Sequence, residues 1–408
     1  MQFSKIFYTA SSAFAVGIIS CGFLSLIPVS ALAKAKVPAA VQQENGPKIK
    51  LENWGKTQKG KSVQRIILSN QHGVTARILT YGATLQSLDI PDAKGKSANV
   101  VLGFKDLKGY EATGPSPRTY FGATIGRVAN RIPNGTFSLD GQTYNVPTNA
   151  GDNAIHGGNV GLDQKVWKIL DKGQNAKGAW VKLGCVSPSG DQGFPGAVNI
   201  EATYFLGAEN ALTLEYKATT DKKTPLSMTN HTYWNLNGEG SGSIASETLQ
   251  VFADRYTPTD ISLIPTGHIL PVEGSVFDYR KPILLRERLN LSENQMLWHH
   301  GLDENFVLNG AYGEEPRPAA ILADPRSGRA LRISTTEPGI IAYTGNSLDG
   351  GYVGTSGKTY RQTDGIALES GGFPDSLHHP NFPSIIITPA DAYHATTVWE
   401  FGVIDNGK

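Results

Sequence analysis

Six segments of the sequence combine titratable side chains with glycine and aromatic residues. The first three are GRVANRI at 126–132, NAIHGG at 153–158 and TNHTYWNLNG at 229–238. The other three are GLDENFVL at 301–308, GIIAYTGNSLDG at 339–350 and GIALESGGFPDS at 365–376. Ordinary solvent-exposed loops are less aromatic, and functional groups concentrate where strands end, so we interpret these segments as parts of one site.

Three side chains in these segments have the chemistry of proton transfer. Glu369 follows the apolar run 366–368, and a carboxylate with an ordinary pKa of about 4.3 is ionised at neutral pH. His231 and His156 are histidines, whose ordinary pKa of about 6.5 lets them hold a proton for donation. Taken singly, His156 also suits a turn and His231 a hydrogen-bonded core position.

Two histidine doublets, His299-His300 and His378-His379, raise the question of a metal site. Adjacent residues on an extended chain point to opposite sides, and no Cys or His recurs at ligand spacing around them. We therefore predict no metal.

Period-two alternation of apolar residues predicts the elements that position these groups. It is clearest in 198–206 and 212–218, which predict a hairpin around 207–210. Further hairpins are predicted for 136–139 with 144–146 and for 319–321 with 331–333. Leu284 to Leu289 is the only helical segment predicted, and strand–helix–strand alternation is absent from the sequence. The prediction is an all-β protein, a large antiparallel sandwich.

The charge balance and the N-terminus bear on partners and location. With 37 basic and 36 acidic residues the net charge is +1, which favours an uncharged small substrate over nucleic acid. Lys5 is followed by a charge-free stretch from Ile6 to Leu32, and the segment 1–33 ends in Ala31-Leu32-Ala33, which is typical of a signal peptide cut near Ala33. We expect a flexible linker over 34–48, one domain over 49–408, and export to the periplasm or the extracellular space without membrane attachment.

Two alternatives for the N-terminus stay open. The apolar stretch is long enough to be retained as a membrane anchor, and Ile19-Ser20-Cys21 faintly resembles a lipidation signal. Cleavage would leave Cys185 as the single cysteine, which excludes an intramolecular disulfide and suits a small core residue.

Together and in this order, the six segments resemble the signature segments of the aldose 1-epimerase (galactose mutarotase) family. The resemblance covers nearly the whole predicted domain, and Asn-His-Thr-Tyr-Trp-Asn-Leu at 230–236 is its most specific part. It implies a super-sandwich fold with an open groove for a pyranose, and interconversion of the α and β anomers of a free aldose such as glucose or galactose. It implies no cofactor, and it leaves a monomer or a homodimer open.

The resemblance also implies roles for individual residues. Glu369 would be the general base and His231 the general acid, with His156 near the ring oxygen. Asn130, Arg131 and Asp303 would hold sugar hydroxyls. The aromatic residues of the same segments would form apolar walls against the ring, namely Tyr233, Trp234, Tyr343 and Phe373.

Opening a hemiacetal ring needs one base for the C1 hydroxyl and one acid for the ring oxygen, without redox chemistry. Two other functions suit the same residues: a sugar-binding protein without turnover, and a glycoside hydrolase using Glu369 and Asp303. A sugar phosphate would need more cations than Arg131. Many members of the family have other residues at three positions here, Ile341, Ala342 and Gly371, so the preferred aldose stays open.

Overall fold

The computed structural model describes residues 46–111 and 118–404. The predicted signal peptide and most of the predicted linker lie outside the described residues. The first strand begins at Lys48, one residue before the expected start of the domain. In the described part of the chain, no helix has the length and apolar character needed to cross a membrane.

The described residues are mainly β-strands. The first ten are β1 (Lys48–Lys56), β2 (Ser62–Ser69), β3 (Thr75–Leu79), β4 (Thr84–Pro91), β5 (Ser97–Asn99), β6 (Thr124–Ile125), β7 (Arg131–Ile132), β8 (Thr136–Leu139), β9 (Gln142–Asn145) and β10 (Ala154–Ile155). The next ten are β11 (Lys168–Asn175), β12 (Gly178–Ser187), β13 (Val198–Gly207), β14 (Ala211–Thr220), β15 (Thr224–Pro225), β16 (Thr229–Asn230), β17 (Tyr233–Trp234), β18 (Thr248–Val251), β19 (Ala253–Thr257) and β20 (Leu270–Pro271). The last ten are β21 (Ile283–Leu284), β22 (Asp303–Leu308), β23 (Arg317–Ala323), β24 (Arg329–Thr335), β25 (Gly339–Tyr343), β26 (Asp349–Val353), β27 (Thr359–Arg361), β28 (Ile366–Gly371), β29 (Ile386–Ile387) and β30 (Tyr393–Val403).

Helices in the described part are short. The α-helices are α1 (Leu107–Glu111), α2 (Arg286–Leu289) and α3 (Asn294–His299), and 3₁₀ turns cover Pro133–Gly135, Leu162–Gln164, Asp191–Gly193 and Ile244–Ser246. The predicted helical segment therefore exists as α2, and the expectation of few short helices is confirmed, although α1 and α3 were not located from the sequence. Both α1 and α3 have too few residues to show a helical period in the sequence.

Three antiparallel sheets form the body of the molecule. The largest has nine strands in the order β11-β12-β13-β14-β30-β24-β23-β18-β21. A six-stranded sheet has the order β17-β28-β25-β22-β19-β20, and β1 to β5 pair in chain order. This architecture confirms the predicted all-β antiparallel sandwich.

The predicted hairpins are present in the expected register. Strands β13 and β14 pair from Val198 opposite Thr220 to Leu206 opposite Leu212, and Asn210 adopts the left-handed φ of 61° that such a tight turn requires. The pairs β8–β9 and β23–β24 are likewise hairpins. Cys185 lies in β12 and is half-buried against the core, so the core expectation holds in part.

The core lies between the nine-stranded and six-stranded sheets. Trp234 of the six-stranded sheet meets Trp399 of the nine-stranded sheet with ring centroids 5.6 Å apart, and both rings are buried. Burying such large side chains is a main source of stability in a sandwich. The prediction that Trp234 forms a wall of the sugar groove was therefore wrong, because its neighbour Tyr233 takes the opposite face of the strand.

A buried arginine holds the GRVANRI segment in place. The Arg127 guanidinium donates hydrogen bonds to Ser187 Oγ at 3.0 Å, Pro195 O at 2.6 Å and Thr224 Oγ1 at 3.0 Å, and also to the Gly196 carbonyl. These bonds satisfy backbone and hydroxyl groups that burial would otherwise leave unpaired. They tie the segment that carries Asn130 and Arg131 to the rest of the sandwich.

Candidate active site

One face of the six-stranded sheet gathers side chains that are far apart in the sequence. Four residues on neighbouring strands form a row across the sheet. Tyr233 on β17 lies opposite Ala367 on β28, and Ala367 lies opposite Tyr343 on β25. Tyr343 in turn lies opposite Asp303 on β22. Directly opposed residues of an antiparallel pair share a face. Two residues further along β28, and therefore on the same face, lies Glu369. The strand continues to Gly371, so Glu369 lies within β28 and not at its exit as expected.

This face forms the floor of an open groove of about 730 Å³. The groove is lined by eight of the ten residues for which the sequence predicts a role at the site. These are Asn130, Arg131, His156, His231, Tyr233, Asp303, Tyr343 and Glu369.

Phe373, like Trp234, is a predicted residue that does not line the groove. Its ring is buried and packs edge-on against Phe382, with centroids 5.3 Å apart. A Cβ placed on Gly339 would come within about 3.0 Å of the Phe373 ring. Phe373 therefore packs over Gly339, the first residue of β25. The expectation that Phe373 borders the sugar was wrong.

The unusual residues at positions 341 and 342 face opposite sides of the sheet. Ile341 lies opposite Glu369 and shares its face, whereas Ala342 lies opposite Leu368 and belongs to the core. Of these two departures from the family pattern, only Ile341 therefore lies on the groove side of the sheet. Gly371 is buried beside Met228 and Thr229, the nearest residues to an added Cβ.

His156 is held in one orientation by the GRVANRI segment. Its backbone has a left-handed φ of 53°, and its amide N–H donates to the Asn130 carbonyl at 3.1 Å. In return, the Asn130 amide N–H donates to Nδ1 of His156 at 3.2 Å. This bond fixes the neutral ring in the tautomer with its proton on Nε2. His156 is thus both a turn residue and a groove residue.

His231 and Glu369 are the closest acid–base pair of the groove. His231 Nε2 lies 3.4 Å from Glu369 Oε1, and the two side chains are 6% and 4% exposed. The second atom of each group, His231 Nδ1 and Glu369 Oε2, has no hydrogen-bond partner among the described residues. Each group therefore has one buried atom whose hydrogen-bonding capacity is unused by the described residues.

Burial changes the protonation expected for this pair. It lowers the pKa of His231 to about 4, because the charged imidazolium is desolvated. Burial, followed by the nearby Asp303, raises the pKa of Glu369 well above its ordinary value. The pKa of His156 is held well below 6.5, first by burial and then by His231. These directions depart from the expected ordinary values, with ionised glutamate and protonated histidine.

Tyr120 is a central residue that the sequence did not reveal. Its ring contacts His156 at a centroid distance of 4.6 Å and stacks on His231 at 5.7 Å. Arg118 lies over the Tyr120 ring at 5.4 Å and pairs with the buried carboxylate of Asp163 at 2.9 Å. Tyr120 and Arg118 both line the groove, but they lie just before the first signature segment, which explains why they were missed.

Arg131 and Asp303 stay available for a ligand. Among the described residues, the Arg131 guanidinium forms no ion pair with a carboxylate. Asp303 is the first residue of β22, so its placement is set by the sheet. A cation and a carboxylate on rigid elements are suited to orient hydroxyl groups.

His299 is a further groove residue, at the end of α3, where its Nε2 lies 2.8 Å from Thr259 Oγ1. The His378-His379 doublet is instead found in a turn, where both rings contact Asp375. The argument that extended backbone separates the rings of each doublet was therefore wrong. Neither doublet belongs to the group of ligand-type residues discussed next.

His156, His231 and Glu369 each offer a ligand-type atom within 4.8 Å of the others. Such a spacing could hold a metal ion by distance alone. The hydrogen bond to Nδ1 leaves His156 with a proton on Nε2, so that nitrogen has no lone pair for a metal. We interpret the three groups as a proton-transfer cluster.

The fold and the groove agree with what similarity to known proteins shows. Residues 64–400 match the sequence profile of the family described as aldose 1-epimerase. The chain belongs to the aldose 1-epimerase family. As a member of that family, it is an isomerase that acts on carbohydrates.

Individual relatives cover most of this aldose 1-epimerase family member. A galactose mutarotase of Rattus norvegicus is 41% identical over 80% of the chain and 90% of the relative. An aldose 1-epimerase of Escherichia coli K12 is 33% identical over 84% of the chain and 96% of its own length. The crystal structure of galactose 1-epimerase from Lactobacillus acidophilus NCFM superposes with a TM-score of 0.76 at 30% identity, covering 88% of the chain and 99% of that structure.

Proposed function

We propose that the groove binds the pyranose form of a free aldose, such as glucose or galactose, and interconverts its anomers through Glu369 and His231. The observation that carries this proposal is the 3.4 Å contact between Glu369 Oε1 and His231 Nε2 inside the groove. In a pyranose, the C1 hydroxyl and the ring oxygen are attached to the same carbon. A base and an acid that nearly touch can therefore reach both oxygens at once.

Ring opening moves two protons and breaks one bond. Ionised Glu369 takes the proton of the C1 hydroxyl, and the C1–O1 bond becomes a carbonyl. The C1–O5 electron pair goes to the ring oxygen, which receives the proton of His231. Rotation about C1–C2 then exposes the other face of the aldehyde. Reclosure reverses each transfer and gives the other anomer.

The protonation that burial favours for this pair suits the intermediate of the reaction. Burial favours protonated Glu369 and neutral His231, and ring opening leaves the pair in this same state. In the substrate complex, this proton must be on His231 and not on Glu369. The proton therefore moves from Glu369 to His231 before the ring opens. The transfer leaves Glu369 as a carboxylate. The hydroxyl groups of the bound sugar and the positive charge of Arg131 stabilise this carboxylate. His156 and Asp303 position the ring.

Polarimetry tests the proposal. Freshly dissolved α-D-glucose or α-D-galactose should reach anomeric equilibrium faster with the purified protein. Glu369→Gln should lose about 10²–10⁴-fold of this acceleration, because the base is gone. Glu209→Gln is a matched control, since Glu209 lies exposed in the β13–β14 turn. An uncatalysed rate with every common aldose would refute the proposal, and hydrolysis of a chromogenic glycoside would favour the hydrolase alternative.

We also propose that the protein is exported after cleavage near Ala33, as a monomer or homodimer without membrane attachment. The apolar N-terminal segment with its Ala-Leu-Ala end supports this proposal. N-terminal sequencing of the protein from culture medium or periplasm should place the N-terminus of the mature chain near Lys34. Recovery of the whole chain in the membrane fraction would favour a retained anchor, and a lipid-modified Cys21 would favour lipidation. Light scattering distinguishes the two assembly states.

A further inference from the structure

An apolar side chain stands directly beside Glu369 on the groove face. Ile341 lies opposite Glu369 on one side and opposite Asn305 on the other. Directly opposed side chains in an antiparallel sheet have Cβ atoms about 4.5–5.5 Å apart. A ligand group next to the Glu369 carboxylate on this side therefore meets a side chain that cannot form hydrogen bonds.

Ile341 borders a small recess that adjoins the groove. The recess has a volume of about 20 Å³ and shares Asn130, Arg131, His299 and Asp303 with the groove. Its other polar lining residues are Thr257, Thr259 and Asn305. Its volume suits one group of about the size of a water molecule. A hydroxyl group or a hydrogen atom fits in this space, whereas an acetamido group does not.

The acid–base pair fixes which carbon of the sugar faces Ile341; this step depends on the proposed function. The C1 hydroxyl must be at Glu369 on β28, and the ring oxygen must be at His231. His231 lies just before β17, which pairs with β28 on the side away from β25. C1 is bonded to the ring oxygen on one side and to C2 on the other. C2 is therefore directed toward β25 and Ile341.

We infer that Ile341 determines selectivity at C2 of the aldose. Ile341 itself gives a C2 hydroxyl no hydrogen bond, which leaves this hydroxyl only the polar walls of the recess. Loss of the C2 hydroxyl therefore costs less here than in a site where residue 341 also forms a hydrogen bond. A site that hydrogen-bonds a hydroxyl rejects the analogue lacking it by about 10⁴–10⁵-fold, whereas an apolar site discriminates weakly. The same recess excludes 2-acetamido sugars by size.

The test compares kcat/KM for the mutarotation of D-glucose and 2-deoxy-D-glucose, followed by polarimetry and by NMR of the anomeric protons. We expect the two values to agree within about tenfold in the unmodified protein. Ile341→Gln, which adds hydrogen-bonding groups at similar volume, should raise the preference for glucose by at least about tenfold. Ile341→Val should leave the ratio unchanged, and N-acetyl-D-glucosamine should show no acceleration.

Two outcomes would overturn this inference alone. A preference for glucose above about 10³-fold in the unmodified protein would show that Arg131 or Asp303 in the recess wall holds the C2 hydroxyl. Rapid turnover of N-acetyl-D-glucosamine would refute the size limit. Failure of the proposed function is distinguishable, because glucose and galactose would then show no acceleration. If Ile341→Gln does not fold, the glucose-to-deoxyglucose ratio of the unmodified protein decides.

Discussion

Nε2 of His231 lies 3.4 Å from Oε1 of Glu369, and neither side chain is more than 6% exposed. Two ionisable groups so close and so buried do not titrate independently. Between the acid and alkaline limits, they hold one proton together. Both directions of the proposed reaction need that single proton, because one partner must donate while the other accepts.

The pH dependence of kcat/KM follows from this shared proton. The acid limb is reached when His231 is protonated while Glu369 keeps its proton, because the pair then has no base. Since burial lowers the pKa of His231 to about 4, we expect this limb near pH 4. The alkaline limb is reached when Glu369 loses its proton, and burial places it well above pH 4.5. A polarimetric pH series should therefore show the acid limb near pH 4 and an alkaline limb displaced upward by the raised pKa of Glu369.

If Glu369 and His231 had their ordinary pKa values, the pH profile of kcat/KM would differ. The pH series therefore distinguishes shifted from ordinary pKa values. With a glutamate near 4.3 and a histidine near 6.5, activity would fall on both sides of about pH 5.4. A narrow optimum there would contradict the pKa directions set by burial. Buffer catalysis of mutarotation is measured without protein at each pH and subtracted.

Tyr120 should control the environment of both histidines. Tyr120→Ala removes the ring that stacks on His231, lets water reach the imidazole and moves its pKa back toward 6.5. The acid limb of kcat/KM should shift to higher pH, and the loosened geometry should lower kcat/KM by about 10²-fold. Tyr120→Phe keeps the ring and is the matched control. An unshifted acid limb in Tyr120→Ala would show that the ring does not shield His231.

The sheets and most groove residues could be predicted because their signals are local. Period-two alternation over 198–206 and 212–218 is visible without any partner strand, and it predicted the β13–β14 hairpin correctly. Alternation also explains the error at Trp234. Neighbouring strand residues face opposite sides, so Tyr233 and Trp234 could not both line the groove, and only the pairing of β17 with β28 decides between them.

The pKa values and the role of Tyr120 could not be predicted because they depend on distant residues. Tyr120, His156 and His231 belong to three separate segments, and only the folded sheets bring their rings into contact. The desolvation that lowers the pKa of both histidines comes from this contact. A residue pattern shows that imidazoles and a carboxylate are present, but it does not show how much water surrounds them.

Trp234 should contribute to stability and not to sugar binding. Trp234→Phe replaces a fully buried indole that packs on Trp399 by a smaller ring. We expect a loss of about 1–3 kcal/mol in the free energy of unfolding. Urea denaturation measures this loss. KM for glucose should stay unchanged below the unfolding transition. Tyr233→Ala is the contrasting variant, because it removes a groove side chain and should raise KM. A raised KM in Trp234→Phe would contradict the core assignment.

Asp375 should make stability depend on pH through His378. His378 Nδ1 lies 2.5 Å from Oδ1 of the buried Asp375, and this contact is the main cause that raises the pKa of His378 above 6.5. Since the pKa is higher in the folded state, the stabilisation is complete below about pH 6.5 and is lost as pH rises through the folded value. Asp375 also contacts His379, 3.3 Å away.

Thermal unfolding of Asp375→Asn tests this contact. Relative to the unmodified protein, the variant should lose more Tm at pH 5.5 than at pH 9, because only the protonated imidazole gains from the carboxylate. Asp140→Asn is the control, since the exposed Asp140 pairs with Lys223, whose charge does not change over this range. An equal loss of Tm at both pH values would mean that Asp375 stabilises the turn only through neutral hydrogen bonds. A larger loss at pH 9 would reverse the assigned direction of the His378 pKa.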